Sequence, residues 1–164
     1  MATSKVEMKK LFLGILILLF LAITGYCQES EQQSVYTETI DLNVGMVKAP
    51  KGYLHKRTGT KDSQMGQITD DQGKLTIYYD IGVMAGTHMH PKLKSDCLWY
   101  KEQIINAHKV FSGLMNKDGK KLLLVTITEE GSKDSSQFPA NFWAYVNGNG
   151  DIAEVSRIVL SYSP

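Results

Sequence analysis

The sequence predicts an α+β domain: a mostly antiparallel sheet of five to seven strands, with a C-terminal amphipathic helix packed on one face. Three observations predict it. Apolar and polar residues alternate with a period of two in several separate stretches. Short polar links containing glycine join neighbouring stretches at hairpin spacing. A single helical stripe, Ile152, Val155, Ile158, Val159 and Tyr162, then ends the chain. Period two sends alternate side chains to opposite faces of a strand, whereas a period near 3.6 gathers them on one side of a helix.

Along the chain, the first alternating stretch sets Tyr36, Ile40, Leu42 and Val44 against Thr37, Thr39, Asp41 and Asn43, and predicts one half-buried strand. Ala49-Pro50-Lys51-Gly52 breaks it, because proline cannot donate to a ladder and glycine frees the turn. A short strand near Tyr53–Arg57 follows. The clearest hairpin is Met65–Thr69 and Lys74–Ile81, linked by Asp70-Asp71-Gln72-Gly73. A second joins His108–Met115 to Lys120–Thr128 through Asn116-Lys117-Asp118-Gly119. Its second arm begins apolar on both faces, which places it centrally in the sheet. Between the hairpins, Gly82 to about Lys94 reads as a loop, and Cys97–Ile105 fits strand or helix. Phe138–Val146 alternates again, with Phe142, Ala144 and Val146 opposite Asn141, Trp143 and Tyr145. Asn147-Gly148-Asn149-Gly150 is a turn that delivers Asp151 as the capping residue of a helix over 151–162, with Glu154 able to reach back.

Ahead of this domain, Lys5, Lys9 and Lys10 precede an uncharged apolar run, Leu11–Ile23. Thirteen residues fit the apolar part of an export signal. A helix spanning a bilayer takes about 20. Residues 1–27 are therefore expected to be a signal peptide, cut between Cys27 and Gln28, with Gly25 and Cys27 at the positions that must be small. The alternative makes Cys27 a lipid-anchored amino terminus, and the bulky Tyr26 argues against it. Met8-Lys9-Lys10 also resembles a bacterial signal start, so Met1 and Met8 are both open as initiators. Residues 28–34 read as a polar, disordered lead and 35–164 as a single domain. Removing the signal leaves 15 basic and 16 acidic residues, a net charge of −1. Such a balance provides no basic face for nucleic acid and no charged block for a membrane surface. The membrane is met only in transit, through the signal.

Chemistry-bearing motifs are few. His88-x-His90 would put two imidazoles on the same side of an extended backbone, where both reach one metal ion. Asp96, Cys97 or His108 would have to supply a third ligand, and none has the spacing of zinc sites; solvated loop histidines are the plainer reading. Cys97, the lone cysteine after cleavage, reads as a small buried side chain beside Leu98 and Trp99. Its pairing with His108 as a hydrolase dyad is arbitrary. The loop Thr58–Gly66 has turn chemistry and lacks the spacing of a phosphate cradle. Asp70-Asp71 and Glu129-Glu130 fall at strand ends, where solvated turns explain them. No cofactor motif is present. Trp143 and Tyr145, with Trp99, form a candidate partner surface: if the helix covers the Phe142 face, the first two project from the other side; their burial by loops or by Trp99 as a second small core is the plainer reading.

Asn141-Phe142-Trp143-Ala144 on a final strand, followed by a closing helix over Asp151–Ser161, resembles the PsbP-like superfamily across about residues 97–162. That resemblance implies an antiparallel sheet between helices and a mostly non-catalytic accessory or binding role. The run from Gly73 to Gly82, Gly-x-Leu-x-Ile-x-Tyr-Asp-x-Gly, also resembles a strand of small exported bacterial proteins. Neither resemblance assigns a functional residue. The expected function is an exported, non-enzymatic domain, periplasmic or secreted, that binds an extracytoplasmic protein or envelope component. A metal- or small-ligand-binding protein using His88 and His90 is the alternative, and a hydrolase the third reading.

Overall fold

In a computed structural model, the described residues are 37–59, 63–129 and 139–164. The expected signal peptide, its cleavage site at Cys27 and Gln28, and the polar lead lie outside them.

The first alternating stretch is two strands rather than one. β1 (Thr37–Asp41) and β2 (Met46–Pro50) form an antiparallel hairpin of their own. The chain reverses at Asn43–Gly45, where Asn43 (φ 65°) and Gly45 (φ 130°) adopt left-handed conformations. Asp41 Oδ1 accepts the Asn43 N–H at 2.7 Å, a local turn bond that offers the backbone an exit from the strand. The alternation runs straight through this turn, so the pattern concealed it.

The other seven strands build one antiparallel sheet. They are β3 (Leu54–Arg57), β4 (Gln64–Thr69), β5 (Thr76–Ile81), β6 (Cys97–Ile105), β7 (His108–Lys117), β8 (Lys120–Glu129) and β9 (Ala140–Val146). Their order is β3-β4-β5-β9-β8-β7-β6, so two meanders meet where β9 pairs with β5. Both expected hairpins form, and Cys97–Ile105 is strand. The arm apolar on both faces is β8, flanked by β7 and β9, as its pattern requires.

Helix α1 (Asn149–Val159) and the β1–β2 hairpin together cover one face of this sheet; Val155, Ile158 and Val159 from the helix, and Ile40, Leu42, Val47 and Ala49 from the hairpin, meet Ile77, Tyr79, Leu123, Val125, Phe142 and Ala144. Two-layer packing of this kind lets each element bury its apolar face. The chain after the helix locks the layer. Met46 and Ser163 exchange backbone hydrogen bonds at 2.8 and 2.9 Å, and the Tyr162 hydroxyl donates to the Val44 carbonyl at 2.7 Å. Among the described residues, the core side chains belong to residues 40–162, inside the compact unit Tyr36–Pro164.

The start of α1 differs from expectation. The capping position is Gly148, and Asn149 and Gly150 lie in the first turn instead of a preceding loop. Asp151 lies in the same first turn and reaches back to accept the Asn147 N–H at 2.8 Å. It thus plays the part expected of Glu154, while Glu154 accepts the Tyr53 hydroxyl at 2.7 Å.

Candidate functional site

Strand register decides what projects from the sheet face opposite α1. One row across the sheet reads Lys56, Gln67, Tyr78, Trp143, Leu124, Gly113, Tyr100. The next row reads Met65, Asp80, Asn141, Thr126, Phe111, Glu102. The first row is aromatic at its centre and the second is polar there.

The polar row anchors the loop between β5 and β6, which carries two short 3-10 turns, Val83–Ala85 and Pro91–Asp96. Asn141 is the hub. Its Nδ2 donates to the carbonyls of Gly86 at 3.0 Å and Asp80 at 3.3 Å. Its Oδ1 accepts from the His88 N–H at 3.0 Å and the Thr126 hydroxyl at 2.7 Å. All four bonds an amide can make are used, as a fully buried side chain requires. Thr126 Oγ1 in turn accepts the Met89 N–H at 2.9 Å. Met89 is fully buried, with its sulfur and terminal methyl lying over Gly113, where a larger side chain would displace it.

This loop course separates the two histidines chemically. His88 leans on the Trp143 ring, with centroids 5.2 Å apart, and its Nε2 stands 3.8 Å from Asp80 Oδ2. His90 serves the backbone instead, for its Nδ1 accepts the Lys92 N–H at 3.2 Å and caps the second 3-10 turn. Among the described residues, no group of three or more His, Cys, Asp or Glu is placed to hold a metal ion. The third ligands considered from sequence are spent or distant. The Cys97 thiol donates to the Leu93 carbonyl at 3.2 Å, and burial, with Asp96 beside it, pushes its pKa up. Cys97 and His108 mark opposite ends of the β6–β7 pair, so they form no dyad.

Trp143 also stacks on Tyr78, its neighbour on β5, with centroids 5.8 Å apart and planes 16° from parallel. Helix α1 covers the Phe142 face, and Trp143 and Tyr145 project from the other, as alternation required. Tyr145 remains 42% exposed and Trp143 half-buried. Trp99 does not join them. A bulge between Cys97 and Trp99 shifts the register, and Trp99 pairs with Leu114, whose side chain lies on the helix-covered face. The three aromatics therefore do not make one surface. What assembles instead is Tyr78, Trp143, Tyr145 and His88, with Asp80 beneath them. Asp80 is 8% exposed, and its Oδ1 is buried with no hydrogen-bond partner among the described residues. Sequence reasoning missed Tyr78, Asp80, Asn141 and Thr126 as parts of this site. Period two sets Tyr78 and Asp80 on one side of β5, and Asn141 on the Trp143 side of β9, without showing that β5 and β9 are neighbours.

A cleft of about 580 Å³ opens elsewhere, between Pro50–Tyr53, the β4–β5 turn and the first turn of α1. Asp70, Asp71, Asp151 and Glu154 line it. Three of these carboxylates already serve the fold: Asp70 accepts the Lys74 N–H at 2.7 Å, Asp151 the Asn147 N–H, and Glu154 the Tyr53 hydroxyl. Burial and the Glu154 carboxylate push the Tyr53 pKa well above the usual tyrosine range. The cleft is therefore explained by turn and cap chemistry.

No protein-family model matches this chain, and no curated protein matches it either.

Proposed function

We propose that this is an exported, non-enzymatic binding domain, and that it meets an extracytoplasmic protein or envelope component through the open part of the outer sheet face. The observation that carries this reading is the Tyr78–Trp143 stack, extended by Tyr145 and bordered by His88. Large rings offer a partner much apolar area at little cost in side-chain entropy. The loop Gly86–Met89 buries the neighbouring polar row and reaches the rings only through His88, which leaves Tyr145 open. His88 adds a ring nitrogen held by a pinned backbone, with the buried Asp80 carboxylate 3.8 Å behind it. The resemblance to PsbP-like proteins supports a binding role; the second helical layer it implies is not among the described residues.

Co-sedimentation of the chain lacking residues 1–27 with isolated envelope fractions tests this. Binding is expected, with a loss of at least about tenfold in the Trp143→Ala/Tyr145→Ala variant, since aromatic anchors carry a large share of interface energy. Equal sedimentation of the variant, or none by the parent chain, would sink the reading.

A further inference from the structure

We propose that β6 is a self-pairing edge, through which two copies of this chain join their sheets in antiparallel register about a two-fold axis at Glu102. The inference is independent of the outer-face reading.

β6 ends the sheet, and its outer edge is unpaired among the described residues. It is nine residues long, against four for β3 at the opposite edge. Long, apolar, unprotected edges are templates for strand addition. Three of its side chains are large, apolar and open: Leu98 is 55% exposed, Trp99 37% and Ile104 61%. The bulge at Cys97–Trp99 interrupts the ladder at one end, which leaves Trp99–Ile105 as the regular stretch. Glu102 is the middle residue of that stretch.

A two-fold axis perpendicular to the sheet pairs residues that lie on the same face. With Glu102 at the axis, Trp99 meets Ile105 of the other copy, Tyr100 meets Ile104, and Lys101 meets Gln103. Each apolar residue in the stretch gains an apolar partner, and cross-strand pairs of this kind stabilise a sheet. The two Glu102 carboxylates face each other at the axis, but Lys109 of the same copy already holds each at 2.6 Å. Moving the axis to Lys101 would oppose two ammonium groups with no ion-pair partner among the described residues. Moving it to Tyr100 would drive the ladder through the bulge. Moving it to Gln103 would set Glu102 opposite Ile104 and Lys101 opposite Ile105, a charge against an apolar side chain each time, so charge and regularity favour the register at Glu102 over these three. The occupant they fit is a second copy of the same strand.

Sedimentation velocity across a concentration series tests the association, using the chain lacking residues 1–27, which retains every core residue among those described. The pairing is smaller than a standard interface, so a dissociation constant on the order of 10–100 μM is expected. Ile104→Lys should weaken the dimer at least about tenfold, since it removes the apolar partner of Tyr100. Leu54→Lys, at the other edge, should leave it unchanged. Glu102→Cys in a Cys97→Ser background tests the register: paired Cα atoms lie about 4.5 or 5.5 Å apart, within the span a disulfide closes. Oxidation should then cross-link Glu102→Cys chains much faster than Gln103→Cys chains. A monomer at every concentration overturns the proposal, including one that takes up a foreign strand along β6. So does a dimer insensitive to Ile104→Lys or broken by Leu54→Lys, or cross-linking no faster at position 102 than at 103.

Discussion

Asn141 shows how much one buried amide can organise. Its four hydrogen bonds reach β5, β8 and the 86–88 backbone. Asn141→Ala should lower the unfolding free energy by about 2–4 kcal/mol, because buried groups on both sides lose partners. Urea unfolding reads this, and a red shift of Trp143 emission should accompany it as His88 comes away. Gly66 is a position of close approach: a Cβ there would stand within 2.7 Å of two Tyr79 ring carbons. Gly66→Ala should cost about 1–3 kcal/mol by overpacking. It should also disturb the 2.7 Å bond between Tyr79 and His55. Burial, with Arg57 adding to it and Asp41 opposing, lowers the His55 pKa from 6.5. The folded protein thus favours neutral His55, and the unfolded chain binds the proton more readily. Stability from this group is complete above pH 6.5 and declines as the pH falls through 6.5 towards the lower folded value. Thermal unfolding of His55→Gln should depend less on pH over that interval than the parent chain. An equal dependence would remove His55 as the source.

Among the elements, α1 shows why a cap is hard to locate from composition. Asn147, Asn149 and Asp151 all carry capping side chains, yet an extended Gly148 begins the helix without a side-chain bond. Asp151 contributes by accepting the Asn147 N–H and by placing negative charge at the positive end of the helix. Asp151→Ala should therefore cost about 0.5–1 kcal/mol, much less than Ile158→Ala. Ile158 is fully buried against the sheet, so its truncation should cost about 2–5 kcal/mol by leaving a cavity. Chemical denaturation of the two variants side by side checks that order. Tyr162, just beyond the helix, gives an alkaline counterpart to His55: burial pushes its pKa to about 12. The unfolded chain loses this proton first, so stability from Tyr162 is present below pH 10 and is lost as the pH rises towards 12. Tyr162→Phe should flatten the alkaline limb of a stability–pH curve. The β1–β2 hairpin makes a related point about patterns: alternation measures which side a residue faces, and a tight turn can preserve it while reversing the chain.

For the whole molecule, the core formed by the described residues lies within residues 40–162. The chain lacking residues 1–27 should unfold in one transition, with far-ultraviolet and near-ultraviolet signals coincident. Separate midpoints would reveal a second folding unit. The candidate site also belongs to this scale, since it exists only because two meanders meet. Asp80 and Asn141 are 61 residues apart in sequence yet side by side on β5 and β9.

By itself, the order of residues determined strands β3, β4, β5, β7, β8 and β9, the two long hairpins, the closing helix and the face on which Trp143 and Tyr145 stand. These follow from periodicity and turn chemistry, which act over a few residues. Tertiary structure alone decided that β5 adjoins β9, that Trp99 turns to the helix side, and that His88 settles on Trp143 while His90 caps a turn. Local alternation specifies which way a side chain points and carries no record of its neighbour across the sheet; that choice belongs to the packing of the complete chain.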